Sequence, residues 1–200
     1  ATCYAMAENV FAVTQSGIDS PVHFDLVDRY QLENKKYAQP TINQEKAVRM
    51  LSAGVPIPNT EVRIVDEEGI SLPDRTIGEI CLKSDCMLTE YFNRPEITEK
   101  SFISGWFLTG DLGYLANGEL YITGRKKDLI IVGGKNIYPQ DLEMIAGEVT
   151  GIHPGRVAAF GIYNPQIGTE EVIVIAEMDE SLNINHDSLS KELQNKKNLN

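Results

Sequence analysis

The sequence has few cysteines, one tryptophan and no long apolar run. Its three cysteines are an odd number, and their spacing fits neither a zinc site nor a redox Cys-x-x-Cys pair. Apolar runs such as residues 129–132 have the length of a strand and are far too short for a membrane span. The three histidines lie in no pattern typical of a hydrolytic triad. We therefore expect a protein of the reducing cytoplasm, with no disulfide framework and no integral membrane segment.

Positive charge is also scarce. The chain has 18 Lys and Arg against 29 Asp and Glu, a formal net charge of -11. A protein of this charge repels a phosphodiester backbone and an anionic membrane surface, so we expect no nucleic-acid partner. Any phosphate-bearing ligand must be held locally, by glycine-rich backbone, a few placed cations or a bound metal.

Short alternating segments rich in β-branched residues predict a mixed α+β fold of the α/β class. The predicted strands cover residues 61–66, 78–83, 120–123, 128–132, 156–162 and 171–178. Asn117-Gly118 predicts a type I′ hairpin, because both residues tolerate a positive φ. Residues 54–124 therefore predict a small antiparallel barrel-like or sandwich subdomain. Beyond them, Pro139 and the apolar spacing of residues 140–150 predict a helix within a small α+β lobe.

The polar stretch at residues 22–48 is typical of an insertion that lies on a surface. We expect it to dock its apolar side chains on the larger domain and to leave its charges in water. The apolar group comprises Phe24, Leu26, Tyr30 and Tyr37, and the charged group comprises Asp25, Asp28, Glu33, Lys35 and Lys36.

Four short segments could carry chemistry, and each has an ordinary structural alternative. Thr-Gly-Asp at residues 109–111 predicts a tight turn whose acid can bind vicinal hydroxyls, or a simple Asx turn. Residues 124–128 hold three cations and an acid beside a glycine, which is a site or a solvated linker. Residues 133–139 form a glycine-rich loop between a strand and a helix, without the P-loop pattern. Residues 4–8 offer an aromatic ring and a carboxylate at a commonplace spacing.

The order of five such blocks carries more information than any one of them. They are residues 4–8 (Tyr-Ala-Met-Ala-Glu), 91–96 (Tyr-Phe-Asn-Arg-Pro-Glu), 106–111 (Trp-Phe-Leu-Thr-Gly-Asp), 118–125 (Gly-Glu-Leu-Tyr-Ile-Thr-Gly-Arg) and 127–139. In this order and spacing they resemble the adenylate-forming superfamily of acyl-CoA synthetases, luciferases and peptide-synthetase adenylation domains. The Ala-Glu ending of the first block and the segment near residues 23–48 are most similar to the fatty-acyl-AMP ligases.

The resemblance implies a role for each matching residue. Tyr4 would pack on adenine, Asp111 and Arg125 would bind the ribose, and Ile122 would support the nucleoside. The catalytic residues of this chain would be Glu8, which helps to hold Mg²⁺, and Lys127, the hinge of the small lobe. The loop that lines the acceptor thiol's approach would contain Gly133, Gly134 and Asn136.

The resemblance also implies a domain plan and an activity. Residues 1–53 would end the large AMP-binding domain, with the insertion at about 23–48, and residues 54–124 would form its β-rich subdomain. Residues 125–127 would be the hinge, and residues 128–200 part of the C-terminal α+β lobe. The phosphate loop would precede Ala1 and the catalytic lysine would follow Asn200, so we expect this C-terminal piece alone to be inactive.

The implied enzyme uses ATP and Mg²⁺ to convert a fatty acid to acyl-AMP, and then passes the acyl group to the phosphopantetheine of an acyl carrier protein. Two alternatives stay open. One is an acyl-CoA or aryl-CoA synthetase with CoA as the acceptor, and the other is a non-catalytic binding module of the same fold. Ala5 replaces the glycine that usually follows the tyrosine, so the backbone beside the phosphates is expected to differ slightly.

Overall fold

A computed structural model of the chain describes residues 1–17 and 19–179. The chain divides into two compact units, Ala1–Lys126 and Lys127–Asn200. The end of the expected C-terminal lobe, residues 180–200, lies outside the described residues. Among the described residues, no helix combines the length and the apolar character that a membrane crossing requires.

The first unit is built mainly of antiparallel strands. They are β1 (Cys3–Ala5), β2 (Ala12–Gln15), β3 (Phe24–Asp28), β4 (Ala47–Leu51), β5 (Val55–Pro56), β6 (Thr60–Val65), β7 (Gly78–Ser84), β8 (Phe102–Ile103), β9 (Trp106–Ala116) and β10 (Glu119–Arg125). Two short helices, α1 (Arg29–Lys35) and α2 (Pro95–Lys100), and a 3₁₀ turn at Ala7–Asn9 complete it.

The largest sheet has five strands in the order β10-β9-β7-β6, with β8 paired to β9. Smaller sheets are formed by β1-β2-β5 and by β3-β4. Backbone bonds link β10 to the segment before β5, since the Ala53 amide donates to the Leu120 carbonyl at 2.8 Å. The predicted mixed α+β fold, with its antiparallel β-rich subdomain, is confirmed.

The turn between β9 and β10 has the predicted form. Asn117 and Gly118 have φ values of 54° and 79°, as a type I′ turn requires at both central positions. The turn fixes the register that pairs Leu115 with Leu120. A register shift between Ile122 and Gly124 then places Arg125 opposite Asp111. The acid lies beside the arginine because of the hairpin and this irregularity together.

Two apolar clusters lie on the sheet. The first contains Tyr4, Val13, Ala53, Ile64, Ile80, Leu82, Phe107 and Leu120. The second joins the β3-α1-β4 segment to β9 and β10, and contains Val27, Leu32, Ala38, Ile77, Tyr114, Ala116 and Tyr121. Tyr114 and Tyr121 stack with ring centroids 4.9 Å apart. The β3-α1-β4 segment therefore shares a core with the sheet.

The prediction of which side chains dock this segment was wrong for three of the four residues. Phe24, Tyr30 and Tyr37 are exposed and Leu26 is half-buried, while Val27 and Leu32 are buried. Alternation along β3 places Val27 on the buried face together with Asp25, and places Phe24 on the other face. The Arg49 guanidinium covers the Phe24 ring at 4.3 Å from its centroid.

The expectation that all charges of the segment face water was also wrong, because Asp25 shares the buried face. Arg75 Nη1 lies 2.8 Å from Asp25 Oδ2, and the Tyr114 hydroxyl donates to the same oxygen at 2.9 Å. Arg75 Nη1 also donates to the Ala38 carbonyl at 3.0 Å. Burial, with the Asp25 charge beside it, raises the pKa of Tyr114 well above its usual range. These bonds fasten the segment to the sheet.

The described part of the second unit, residues 127–179, contains two hairpins and one helix. The elements are β11 (Ile130–Val132), β12 (Lys135–Ile137), α3 (Pro139–Gly147), β13 (Ile152–Asn164) and β14 (Thr169–Met178). Pro139 begins α3, as predicted, because its fixed φ and missing N–H suit the first helical position. The helix ends at Gly147, earlier than predicted. Val149 and Ile152 follow it into a small core with Val157, Ala176 and Met178.

The Asp25–Arg75 pair, whose side chains are 12% and 20% exposed, should fasten the β3-α1-β4 segment to the sheet. Asp25→Ala leaves the Arg75 guanidinium without its carboxylate, which should weaken the docked state by about 3 kcal/mol. Local opening then becomes easier, so amide hydrogen exchange in peptides covering residues 24–51 should speed up by roughly a hundredfold. Asp74→Ala, at an exposed turn position, is the matched control. Unchanged exchange in Asp25→Ala would show that the pair does not fasten the segment.

Candidate functional site

The candidate site centres on the middle of β9, where the sequence predicted a tight turn. That prediction was wrong in form, because Thr109-Gly110-Asp111 lies inside a strand of 11 residues. Gly110 has a φ of 74°, and the pairing of β9 with both neighbouring strands is irregular here. These features are typical of a β-bulge, which glycine accommodates without strain. On the β7 side the pairing passes from Leu112 to Leu108, so the bulge spans residues 109–111 and includes Asp111.

Asp111 is a buried acid with a hydrogen bond to each carboxylate oxygen. The Tyr4 hydroxyl donates to Oδ2 at 2.6 Å, and Arg125 Nε donates to Oδ1 at 3.0 Å. The Asp111 amide donates to Thr109 Oγ1 at 3.0 Å. Burial, together with the hydrogen bond to Asp111, raises the pKa of the Tyr4 hydroxyl well above its usual range. Three residues that the sequence selected separately therefore lie in direct contact.

This arrangement leaves Asp111 able to accept further hydrogen bonds. A carboxylate has about four lone-pair sites, and one protein donor on each oxygen leaves each oxygen a site for another donor. The Arg125 side chain is 68% exposed, so the carboxylate lies beside a cation that a ligand can reach. The pair suits a neutral diol flanked by an anionic group.

Ile122 lies on the neighbouring strand β10 and is partly buried against the first apolar cluster, which contains Tyr4. Its side chain therefore belongs to the apolar layer on the sheet. An apolar residue in this layer can support a planar ligand without competing for hydrogen bonds.

Glu8 lies in the 3₁₀ turn that follows β1. Its Oε1 accepts a hydrogen bond from the Tyr91 hydroxyl at 3.0 Å. In the described part of the chain, no group of three or more His, Cys, Asp or Glu could hold a metal ion. One carboxylate nevertheless fits Mg²⁺, which proteins often bind through one or two carboxylates together with substrate phosphates.

The sequence reasoning missed Glu79. This residue is 8% exposed and lies on β7, in a run of four buried residues. Its Oε1 accepts from the Gly110 amide at 3.0 Å, and its Oε2 accepts from Lys126 Nζ at 2.9 Å. The hydrogen bond to Glu79 raises the pKa of Lys126. The sequence did offer one signal for Glu79, since it directly precedes the apolar stretch Ile-Cys-Leu. An acid in such a stretch indicates a paired, buried carboxylate, because buried acids are rare unless paired.

The glycine-rich segment of the second unit differs from its predicted position. Gly133 and Gly134 form the turn of the β11-β12 hairpin, with φ values of 57° and 80°, so the loop joins two strands and does not lead directly into a helix. Asn136 lies in β12 and pairs with Ile131. The Gly133 amide donates to Thr169 Oγ1 at 2.7 Å, which holds the turn against β14.

Lys127 is exposed and occupies a turn. It is the first residue of the second unit. The two residues before it, Arg125 and Lys126, are both paired with acids of the first unit.

Comparison with known proteins matches this chain to one family. The family described as "AMP-binding enzyme" matches residues 2–92. The long-chain-fatty-acid–CoA ligase FadD13 of Mycobacterium tuberculosis is 36% identical over 161 residues, which cover 79% of this chain and 31% of the relative. The chain thus spans about a third of the length of its relatives.

Solved structures extend the similarity to the whole described fold. A fatty acyl-adenylate ligase structure, from studies of the E. coli and L. pneumophila proteins, aligns with a TM-score of 0.81 at 35% identity, covering 96% of this chain and 33% of that one. The ATP-bound MatB of Rhodopseudomonas palustris aligns with a TM-score of 0.68 at 27% identity, covering 96% and 33%. The chain belongs to the AMP-binding enzyme family, the adenylate-forming enzymes.

Proposed function

We propose that the full-length protein is a ligase that uses ATP to activate a fatty acid as its acyl-adenylate. The observation that carries the proposal is Asp111, a buried acid bonded to Tyr4 and Arg125 with acceptor sites left on both oxygens. Two vicinal hydroxyls of a ribose would fill those sites. The fatty acid as substrate is supported by FadD13 and by the fatty acyl-adenylate ligase structure.

Each residue near Asp111 would contribute to nucleotide binding in a different way. Tyr4 is 7% exposed, which leaves little of its ring for adenine, so its main contribution would be to hold Asp111 in place. Arg125 would balance the Asp111 charge and reach toward the nucleotide. Ile122 would support the nucleoside from the apolar layer.

Glu8 would provide the protein carboxylate for Mg²⁺. Attack of the fatty-acid carboxylate on the α-phosphate builds charge on the phosphoryl oxygens, which Mg²⁺ neutralises when bound. The hydrogen bond from the Tyr91 hydroxyl would orient the Glu8 carboxylate, whose second oxygen could then face a cation.

The proposal is tested by measuring pyrophosphate release from ATP by the full-length protein with a panel of fatty acids and aryl acids. We expect release that depends on a medium-chain or long-chain fatty acid. No release with any acid would contradict the proposal. Binding of AMP without release would favour the alternative of a non-catalytic module.

The hinge would begin at Lys127. Because Arg125 and Lys126 are paired within the first unit, Lys127 is the first residue whose backbone can turn without breaking these pairs. A lobe that pivots there could close over the adenylate, which is sensitive to water, and then admit the acceptor. Gly133, Gly134 and Asn136 would line the acceptor's approach after the swing.

Lys127→Pro tests the hinge, because proline fixes φ near -65° and restricts the swing. We expect one half-reaction, adenylation or thiol transfer, to stay near the parental rate while the other slows by about tenfold or more. Lys127→Ala is the matched control, because it removes the same side chain without fixing φ. A proline at Lys135 is unsuitable as a control, because it would break the β11-β12 pairing. Equal slowing of both half-reactions would count against a pivot.

The acceptor would be a carrier-bound phosphopantetheine, with CoA as the competing possibility. The carrier-bound acceptor is supported by the similarity of the β3-α1-β4 segment to the extra segment of the fatty-acyl-AMP ligases, which would hinder transfer to free CoA. The FadD13 relative, by its name, supports CoA as the acceptor.

A shortened segment separates the two acceptors. Asp28 pairs with Ala47, so residues 29–46 can be replaced by Asn-Gly as a two-residue hairpin that retains Asp25 and Val27 and removes the core residues Leu32 and Ala38. We expect this variant to form acyl-AMP at near the parental rate and to produce acyl-CoA that the parent does not. A parent that already makes acyl-CoA efficiently would favour the CoA ligase. A variant that adenylates but makes no more acyl-CoA than the parent would show that the segment does not exclude CoA.

A further inference from the structure

Glu79 holds together the two strands that carry Asp111 and Arg125. Its Oε1 accepts from the amide of Gly110, the residue before Asp111. Its Oε2 accepts from the ammonium of Lys126, the residue after Arg125. The Lys126 amide also donates to the Gly110 carbonyl at 2.8 Å. One side chain therefore bonds to the neighbour of each member of the Asp111–Arg125 pair.

We infer that Glu79 is a positioning residue for nucleotide binding, which acts through the backbone bulge at Gly110. The inference rests on the proposed function. A bulge removes regular ladder bonds, so its geometry depends on the groups that satisfy the freed amides. At Gly110 that group is the Glu79 carboxylate, and the direction of the next side chain, Asp111, depends on it.

Glu79 can hold the Gly110 amide as a buried carboxylate because its charge is compensated there. Glu79 is buried and both of its oxygens have donors, so its charge is compensated where it lies. Lys126 is about half exposed and can keep its charge in water without the pair. Loss of Glu79 therefore affects the bulge more than it affects the lysine.

The Glu79–Lys126 pair fixes the chain at the last residue of the first unit. A swing that starts at Lys127 would then leave the ribose-binding pair undisturbed. Glu79 would thus separate movement of the lobe from the geometry of the nucleotide site.

The test measures the Kd for AMP by calorimetry in the full-length protein. Glu79→Ala removes both bonds and should weaken AMP binding about tenfold, the effect of one well-formed hydrogen bond. Glu79→Gln keeps an acceptor for Gly110, and Lys126→Met keeps the carboxylate, so each should weaken binding by only about threefold. In assays of turnover, the KM for ATP should rise while the KM for the fatty acid stays at the parental value. Glu61→Gln, at an exposed position on the neighbouring strand β6, should leave all of these values unchanged.

The combination of Glu79→Gln with Lys126→Met decides the matter if Glu79→Ala does not fold. The two changes break the same ion pair, so their effects should not add. The Kd of the double variant for AMP should be no higher than the higher of the two single-variant Kd values. Effects that multiply would overturn the inference, and so would a folded Glu79→Ala protein with the parental Kd. An unsubstituted protein that binds no AMP would overturn both the proposed function and the inference, which distinguishes that failure from a failure of Glu79 alone.

Discussion

A buried carboxylate is stable only when protein groups donate hydrogen bonds to it, and the arrangement of the first unit depends on the donors to Asp111. Tyr4 donates from a position 107 residues earlier in the chain, and Arg125 donates from the paired strand. The carboxylate therefore joins the small β1-β2-β5 sheet to the β9-β10 hairpin. The same bonds fix the direction of the carboxylate, so the interaction that stabilises the fold would also orient the proposed ribose site.

Asp25, which is partly buried, finds its donors on another part of the sheet. It accepts from Arg75 and from Tyr114, and in doing so attaches the β3-α1-β4 segment to β9. Asp25, Glu79 and Asp111 each take at least one donor from another element, because an unpaired charge held away from water would be strongly destabilising. Within the described residues, these paired acids define the local geometry.

The sequence predicted those features that depend on short-range physics. The Asn-Gly hairpin, the strands around it and the helix start at Pro139 follow from φ preferences and alternation, and the structure contains all of them. The family resemblance implied that Asp111 and Arg125 lie together at a ribose, and the two residues pair across the hairpin beyond a register shift between Ile122 and Gly124.

Features that depend on long-range pairing could not be predicted in the same way. Glu79 contacts residues 31 and 47 positions away, so no local pattern shows that it supports the bulge. The glycine at position 110 indicated an unusual backbone but did not distinguish a bulge from a turn. The buried face of β3 carries an acid, and hydrophobicity alone selected the other face. In each case the sequence does not show which distant residue the side chain or backbone group contacts.

The central claim is that Asp111 binds both hydroxyls of a ribose. The most direct measurement compares the Kd of AMP with that of its 2′,3′-dideoxy analogue, in the full-length protein and in its Asp111→Ala variant. Two lost hydrogen bonds to a charged group should weaken binding of the dideoxy compound to the parent by about a hundredfold. Asp111→Ala should weaken AMP by a similar factor and should bind the two nucleotides equally. If Asp111→Ala still prefers AMP over the dideoxy compound as strongly as the parent does, the hydroxyls are bound elsewhere and the account is wrong.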